Sequence, residues 1–531
     1  MRIRISSILF FTLFALVAMP VFADPNYQPP QKTIGRYLAV LSDLHMGLGK
    51  INDGWHPNED FRWPKAFAAF LLELRKLGGD RVDLVIAGDL LELWQKPDYV
   101  ACEDGGAGLG CSIPEMVQIT RHVVRSHADT FKNLANFSQE GENRIHVIPG
   151  NHDAALMLDE VWNVLRVPLK AKSGRIQCVK SGVWKSHDGR VIVEHGHQIP
   201  GDLNYFDTWP DVVDTKKGLL FRPEGELLVH KIFNDVEHGY PIIDNLSPLT
   251  LGIWYRIQDR GVWGNIADIA RLIIFYRFQT SLDHKLAFLG KEEIDEQAKV
   301  GAWDLNYARE ELGWKLVAYA IPRDSRLHAE LLSKKPDHNV VKLRKELAEL
   351  VMNKMLMSDD EVRQLCDQAW QESEIPCFEI GKLGEPVRRL PGVQPWLLRR
   401  HLEMRRKEYT KMSHFIYGHT HKFEVGHNVR IVDTADVNSR EIHVVFYNSG
   451  AFQRLMDADN YKRRLADNYP GTDVGEGLRK LTLEKDFRPC YTCVLAPFVN
   501  GFYKPDTKRW FMDEAEGKGK IVGTDFPECE W

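Results

Sequence analysis

The sequence has no large excess of charge of either sign: 69 Lys and Arg stand against 74 Asp and Glu, a formal net charge of −5 over 531 residues. Such a balance supplies no field able to hold a polyanion such as duplex DNA, so nucleic acid is not an expected partner. Long hydrophobic runs are lacking apart from one near the start, and the mean hydropathy is −0.33, which excludes a multi-span membrane protein. No internal repeat or low-complexity tract is visible. The stretch Gly105 to Gly110 lacks the Gly-Lys-Ser/Thr ending of a phosphate-binding P-loop. No Gly-x-Ser-x-Gly sits in a convincing frame, so covalent serine catalysis has no support. What is present, 44% hydrophobic and 27% charged residues, describes a globular chain with room for about three ordinary domains or one large domain with insertions.

The single long apolar run reads as a leader. Arg2 and Arg4 give a positive start, Ile8 to Met19 is largely apolar, and Val21-Phe22-Ala23 is an A-x-A-like cleavage end. Residues 1–23 are therefore expected to be a signal peptide, the run being short for a bilayer-spanning helix, with Asp24 as mature terminus. Export, to a periplasm or the exterior, changes what the eight cysteines mean. In an oxidising compartment they read as disulfides, with Cys102–Cys111 and Cys366–Cys377 favoured because short loops with Gly or Pro bring such pairs within reach. Cys490 and Cys493 form a C-x-x-C, and Cys178 and Cys529 complete the even count; a structural zinc at the C-x-x-C would lack a visible set of four ligands.

From Tyr37 onward β-rich runs alternate with amphipathic helices, the pattern of a layered α/β protein. Strands are expected at Arg36–Leu41, Val82–Ala87, Arg144–Ile148 and Arg190–Val193, and helices at Trp63–Leu77 and over most of Ile113–Phe137. Between about 201 and 395 helical patterns dominate, including Asn265–Phe278, Lys291–Trp314 and Asp337–Leu356, which reads as an inserted helical cap. Strand patterns resume at His414–Tyr417, Glu441–Tyr447 and Tyr491–Phe498, with loop and helix from Asp457 to Asp473. The expected layout is a core in two parts, 24–200 and 396–531, interrupted by the cap at 201–395. The run Leu272 to Tyr276 reads as packing between cap helices, with an acyl-chain pocket as the alternative. Lys342 to Leu350 reads as a solvated helix face.

Each early strand runs into a cluster of metal-ligand residues: Asp43-Leu44-His45, then Gly88-Asp89-Leu90-Leu91-Glu92, then Gly150-Asn151-His152-Asp153. Glu194-His195-Gly196-His197 and Gly418-His419-Thr420-His421 follow. Ligands in α/β sheets collect outside the carboxyl ends of strands, so five scattered segments would converge on one spot. Glycines before Asp89, Asn151 and His419 permit close backbone approach. Imidazole and carboxylate without thiolate suit zinc, iron or manganese, and seven candidate ligands overfill one centre, so two ions sharing a carboxylate fit better. Such a pair activates a water and clamps attacking and leaving oxygens at phosphorus. His197 has two readings, phosphate contact or a fixed turn after His195. Asp153 also has two, orienting a neighbouring ligand or capping a helix over Ala154–Leu165.

Taken in order, D-x-H, G-D-x-x-E, G-N-H-D, a central H-G-H and G-H-T-H resemble the calcineurin-like metallophosphoesterase superfamily, with motifs spanning Asp43 to His421. That resemblance implies a four-layer αββα sandwich, here with a large helical insertion, and two divalent or trivalent transition metal ions, Mn, Fe or Zn. It implies Asp43, His45 and His421 at one metal, Asn151, His195 and His419 at the other, and Asp89 bridging. His152 matches the family's catalytic histidine, and Glu92 would orient it. The reaction implied is hydrolysis of a phosphomonoester or phosphodiester by attack of a metal-bridged hydroxide, with His152 assisting the leaving group. Tyr447-Asn448-Ser449-Gly450 resembles the strand ending that follows G-H-T-H in many members. The segment Gly88 to Trp94 is further similar to UDP-diacylglucosamine pyrophosphohydrolases, but these typically carry arginine where His152 stands and meet their substrate on the cytoplasmic side. The expected partner is a phosphorylated small molecule or lipid, with at most peripheral contact with a membrane. A lipid or nucleotide-sugar pyrophosphohydrolase, a nuclease, and a non-catalytic metal-dependent binder of phosphorylated ligands stand as alternatives.

Overall fold

Alternating burial builds the first sheet. In Tyr37–Leu41 (β1), Leu38 and Val40 face one way and Ala39 and Leu41 the other, and all four are fully buried, as in a strand covered on both faces. The chain continues through helix Pro64–Gly78 (α1), strand Val82–Ala87 (β2), helices Ile113–Ser126 (α2) and Ala128–Gln139 (α3), strand Arg144–Ile148 (β3) and helix Asp159–Leu169 (α4). Short strands Ile176–Cys178 (β4), Val183–Lys185 (β5) and Val191–Glu194 (β6) follow. Helix Pro395–Glu408 (α5) leads into strands His414–Tyr417 (β7), Glu424–Val432 (β8) and Glu441–Asn448 (β9). Helices Ala458–Asn468 (α6) and Val474–Lys480 (α7) precede the last main strands, Cys490–Ala496 (β10), Asp506–Asp513 (β11) and Lys518–Val522 (β12).

These coordinates are a computed structural model that describes residues 35–247 and 395–529, apart from positions 53, 103–107, 171–173, 201, 203, 224, 227–237 and 434–440, with single positions between 252 and 345. The expected leader, the helices expected at Asn265–Phe278 and Lys291–Trp314, the Leu272–Tyr276 run, most of Asp337–Leu356 and the pair Cys366–Cys377 lie outside the described residues. No described helix is long and apolar enough to cross a membrane.

The strands form two large sheets. One has seven strands in the order β12-β11-β10-β1-β2-β3-β4, parallel from β1 to β4 and antiparallel beyond β1 on the other side. The other has five in the order β8-β9-β7-β6-β5, with β6, β7 and β9 parallel. Leu38, Val40, Val85, Ala87 and Ile148 of the first sheet pack on Val191, Val193, Ile416 and Tyr447 of the second, making the middle of a sandwich. On the outer face of the first sheet, Ala39, Leu84 and Ile86 meet Phe67 and Phe70 of α1, Ile119 and Val123 of α2 and Phe131 of α3. Outside the second, Ile192 and Phe415 meet Leu398 and Leu402 of α5. The layers are thus α, β, β, α, the mixed architecture the motifs imply.

Local chemistry fixes the ends of the elements. Ser112 and Glu115 form a capping box at the start of α2, and Gly79 closes α1 in the left-handed conformation. Asp457 caps α6 by accepting from the Asn460 N–H, which gives the Asp457–Asp473 segment its helix. The helix expected at Ala154–Leu165 is split: Ala154–Met157 is a 3-10 turn, Leu158 is extended, and α4 restarts with Asp159 and Glu160 in its first turn, where their charges complement the helix dipole. Glu194 is buried at the end of β6 and paired with His401 and Arg405 of α5, so that helix anchors the strand that delivers His195.

Among the described residues two disulfides form, Cys102–Cys111 as expected and Cys490–Cys529. The reading of all eight cysteines as paired is corrected at Cys178 and Cys493, which are free thiols. Cys493 is three residues from Cys490 on β10, so the two point to opposite faces of the strand.

Candidate metal centre

The parallel strands release their motifs at one edge of the sandwich. Asp43 and His45 follow β1, Asp89 and Glu92 follow β2, Asn151 and His152 follow β3, His195 and His197 follow β6, and His419 and His421 follow β7. Main-chain bonds knit the loops: Leu44 and His45 N–H donate to the Asp89 carbonyl, and Gly418 N–H to that of His195. Asn448, at the end of β9, donates from Nδ2 to the Gly418 carbonyl at 3.2 Å and to Thr420 Oγ1 at 2.7 Å, pinning the G-H-T-H turn.

The two central carboxylates divide their oxygens between structure and site. Asp43 Oδ2 accepts the His419 N–H at 3.0 Å, and Asp89 Oδ1 accepts the His152 N–H at 2.9 Å. The other oxygens turn inward. Asp43 Oδ1 is buried, makes no hydrogen bond among the described residues, and lies 3.5 Å from His421 Nε2 and 3.8 Å from His45 Nε2. Asp89 Oδ2 lies 3.0 Å from His195 Nε2 and 3.7 Å from His45 Nε2. His45 Nε2 and His421 Nε2 are 3.1 Å apart, and Asn151 Oδ1 is 2.9 Å from His195 Nε2.

Ligands about 2.0–2.2 Å from a tetrahedral ion are separated from one another by about 3.3 Å, so these spacings suit atoms gathered around a cation. The sets Asp43, His45, His421 and Asp89, His195, His419 could each hold a metal ion, and His45, Asp89 and His152 form a third close group between them. All seven expected ligands are therefore brought together, with Asp89 touching both sides.

Hydrogen bonding selects which imidazole nitrogen faces the centre. Carboxylates and carbonyls only accept, so a nitrogen bonded to one must carry the proton and leaves its partner's lone pair free. His45 Nδ1–H donates to Glu92 Oε2 at 3.0 Å, and His195 Nδ1–H to the Ala87 carbonyl at 2.7 Å. Both Nε2 lone pairs then point inward. An outer acceptor for the non-ligating N–H is the usual partner of a metal-bound histidine.

Electrostatics give the same picture. Burial alone would raise the Asp43 and Asp89 carboxyls, but the surrounding histidines win and hold both well below the ordinary range. Glu92, also buried, is pulled down to about 2 by His152 and His45. Burial would lower His195, yet Asp89 lifts it to about 9, and His45 is raised by Asp43 and Glu92 in the same way. The centre is a concentration of negative charge that draws positive charge to itself. Its nitrogen and oxygen donors, free of thiolate, fit zinc, iron or manganese.

Holding this arrangement strains the backbone. Asp43, His45, Asp89, His419 and His421 all have positive φ, between 49° and 72°, a conformation uncommon for residues with a side chain. Two glycines make room: a Cβ on Gly88 would sit 2.2 Å from His195 Nδ1, and one on Gly150 would sit 2.2 Å from Asp89 Oδ1.

His152 flanks the centre. Its Nδ1–H donates to Glu92 Oε2 at 2.5 Å and its ring stacks on Trp94 with centroids 3.6 Å apart. Trp94 ends the Gly88–Trp94 segment without being a ligand type, and its part in holding the His152 ring comes from the fold. Asp153 does not cap the turn that follows it. Its carboxylate accepts from Leu90, Leu91 and Gly150 N–H, tying the β2 loop to the β3 loop. His197 is buried, with Trp209 edge-on at 4.5 Å and the His195 ring 5.3 Å away; its Nδ1 has no partner among the described residues. Burial, then the neighbouring His195 and His419, push His197 well below its usual value, so it is neutral.

Fold and site together define a two-sheet α/β protein with a histidine and carboxylate centre at the carboxyl ends of its strands. Residues 37–271 match the model of the calcineurin-like phosphoesterase family, so the chain carries a domain of the metallophosphoesterase superfamily. His419 and His421 lie beyond the matched span and reach the centre through β7. No curated protein matches the chain.

Proposed function

We propose that the protein is an exported phosphoesterase that uses two transition metal ions to hydrolyse a phosphomonoester or phosphodiester. The observation that carries the reading is the position of Asp89: one carboxylate oxygen lies 3.0 Å from His195 Nε2 and 3.7 Å from His45 Nε2, between the two candidate sets. Asp43, His45 and His421 would hold one ion, Asn151, His195 and His419 the other, and Asp89 both. Ions bound there supply a water of lowered pKa and positive charge for the phosphoryl oxygens.

The chain's own residues do the rest. With Nδ1–H committed to Glu92, His152 keeps Nε2 for the substrate side, where it can carry a proton to the leaving oxygen or hydrogen-bond the phosphoryl group. Stacking on Trp94 keeps the ring from rotating away. The burial of His197 supports packing of the wall behind His195 and His419 more than contact with phosphate. The two disulfides are consistent with an oxidising compartment and support export.

The test is metal analysis of the purified protein together with hydrolysis of chromogenic mono- and diesters. Two bound ions with turnover of either ester support the reading. Two bound ions with no turnover across a panel of phosphomonoesters, nucleotides and phospholipids would favour a protein that captures phosphorylated ligands.

A further inference from the structure

His419 is the histidine of its set whose outer partner is a side chain, and that side chain lies outside the five motifs. Its Nε2 is 2.8 Å from Asp202 Oδ2 and 3.4 Å from Asn204 Nδ2. The shorter contact, to an acceptor-only carboxylate, assigns the proton to Nε2 and leaves Nδ1 as the free lone pair. The Asp202 carboxylate is itself fixed, because its other oxygen accepts the Asn204 N–H at 2.8 Å, a local turn bond. Asp202 N–H in turn donates to the Ile199 carbonyl, and Tyr205 N–H to that of Asp202. Glu92 plays the equivalent part for His45, and a carbonyl does so for His195.

We infer that Asp202 is a positioning residue for His419, fixing its tautomer and ring so as to set the metal affinity of the Asn151, His195, His419 position without acting on the other. This rests on the two-metal reading above. Asp202, with Asn204 beside it, ties the segment that follows His197 to one side of the centre, so changes there would tune one ion selectively.

Full-length wild type and the variants Asp202→Ala, Asp202→Asn and His419→Ala would be loaded with Zn²⁺ against a competing chelator, counting equivalents and measuring the affinity of each. Wild type should bind two equivalents. Asp202→Ala should weaken one of them about 10- to 100-fold and leave the other unchanged. Asp202→Asn, which keeps an acceptor of the same shape without charge, should recover part of the loss. His419→Ala should lose the same equivalent, and adding Asp202→Ala to it should cost nothing more. A general loss of structure would weaken both equivalents and would overturn the inference, as would two wild-type affinities in both Asp202 variants. Fewer than two equivalents in wild type would overturn the two-metal reading itself, and the inference with it.

Discussion

One oxygen of Glu92 serves both His152 and His45: Oε2 accepts from His152 Nδ1 at 2.5 Å and from His45 Nδ1 at 3.0 Å. A single buried carboxylate therefore fixes the tautomer of a proposed metal ligand and of the proposed leaving-group histidine, whose rings meet edge to face at 4.5 Å. Replacing Glu92 with Gln removes the charge that both N–H groups share and, with the amide oxygen kept toward the histidines, turns an NH2 donor on the Trp94 N–H that Oε1 accepts at 3.0 Å. We expect Glu92→Gln to lower kcat by about 10- to 100-fold. His152→Ala should lower it by about 100-fold or more with metal occupancy largely kept. Loss of metal in His152→Ala would make that residue a ligand and displace it from its proposed role.

Asp89 distinguishes a shared centre from two separate ones. Its Oδ2 faces both candidate sets while Oδ1 is spent on the His152 N–H, so Asp89→Ala removes a ligand from each side and loosens the β3 loop. Metal analysis of Asp89→Ala should find both ions depleted, not one. A variant that keeps one full equivalent would show that the two positions share no carboxylate.

Much of this was legible because of how the residues are grouped. Each motif carries two or more ligand types within a few positions at the end of a strand pattern, and strands such as Val82–Ala87 are apolar on both faces. Three features were not legible. Asp202 reaches the site through tertiary contact alone, from a segment with no ligand pattern, and Trp94, at the end of the Gly88–Trp94 segment, is not a ligand type and acts only by stacking on His152. The positive φ angles at Asp43, His45, Asp89, His419 and His421 belong to residue types that do not announce them. The spacing of the C-x-x-C did not say where its cysteines pair, whereas β geometry sends Cys490 to Cys529 and leaves Cys493 in the core.

That cysteine arrangement is countable. Denatured without reductant, the chain should present two reactive thiols, from Cys178 and Cys493, if Cys366 pairs with Cys377, and four if it does not. The Cys490–Cys529 bridge closes a 39-residue separation and joins β10 to the C-terminal end. Chain-entropy arguments put its stabilisation near 4 kcal/mol, so Cys529→Ser should lower the unfolding free energy by about 2–4 kcal/mol. The thiol count of that variant should rise by one, from the freed Cys490, and a fall by one would contradict the pairing.

The pH dependence of stability has a source away from the centre, at Glu424. Buried at the start of β8, it accepts the Tyr417 hydroxyl at 3.0 Å, and burial outweighs that bond to raise its carboxyl to about 7. Between an unfolded value near 4.5 and about 7 the folded state holds the proton more tightly than the unfolded chain, so stability falls as pH rises through this window. Below it, Glu424 is neutral in both states and contributes no such dependence. Glu424→Gln keeps an acceptor for Tyr417 and removes the charge. Its unfolding free energy should match wild type near pH 4, exceed it increasingly from pH 5 to 7, and level off about 2–3 kcal/mol higher at pH 8. Other buried acids titrate in both proteins and cancel in the difference. Denaturant melts of the two at pH 4, 6 and 8 measure it directly, and parallel profiles would mean that Glu424 titrates as an ordinary surface carboxylate.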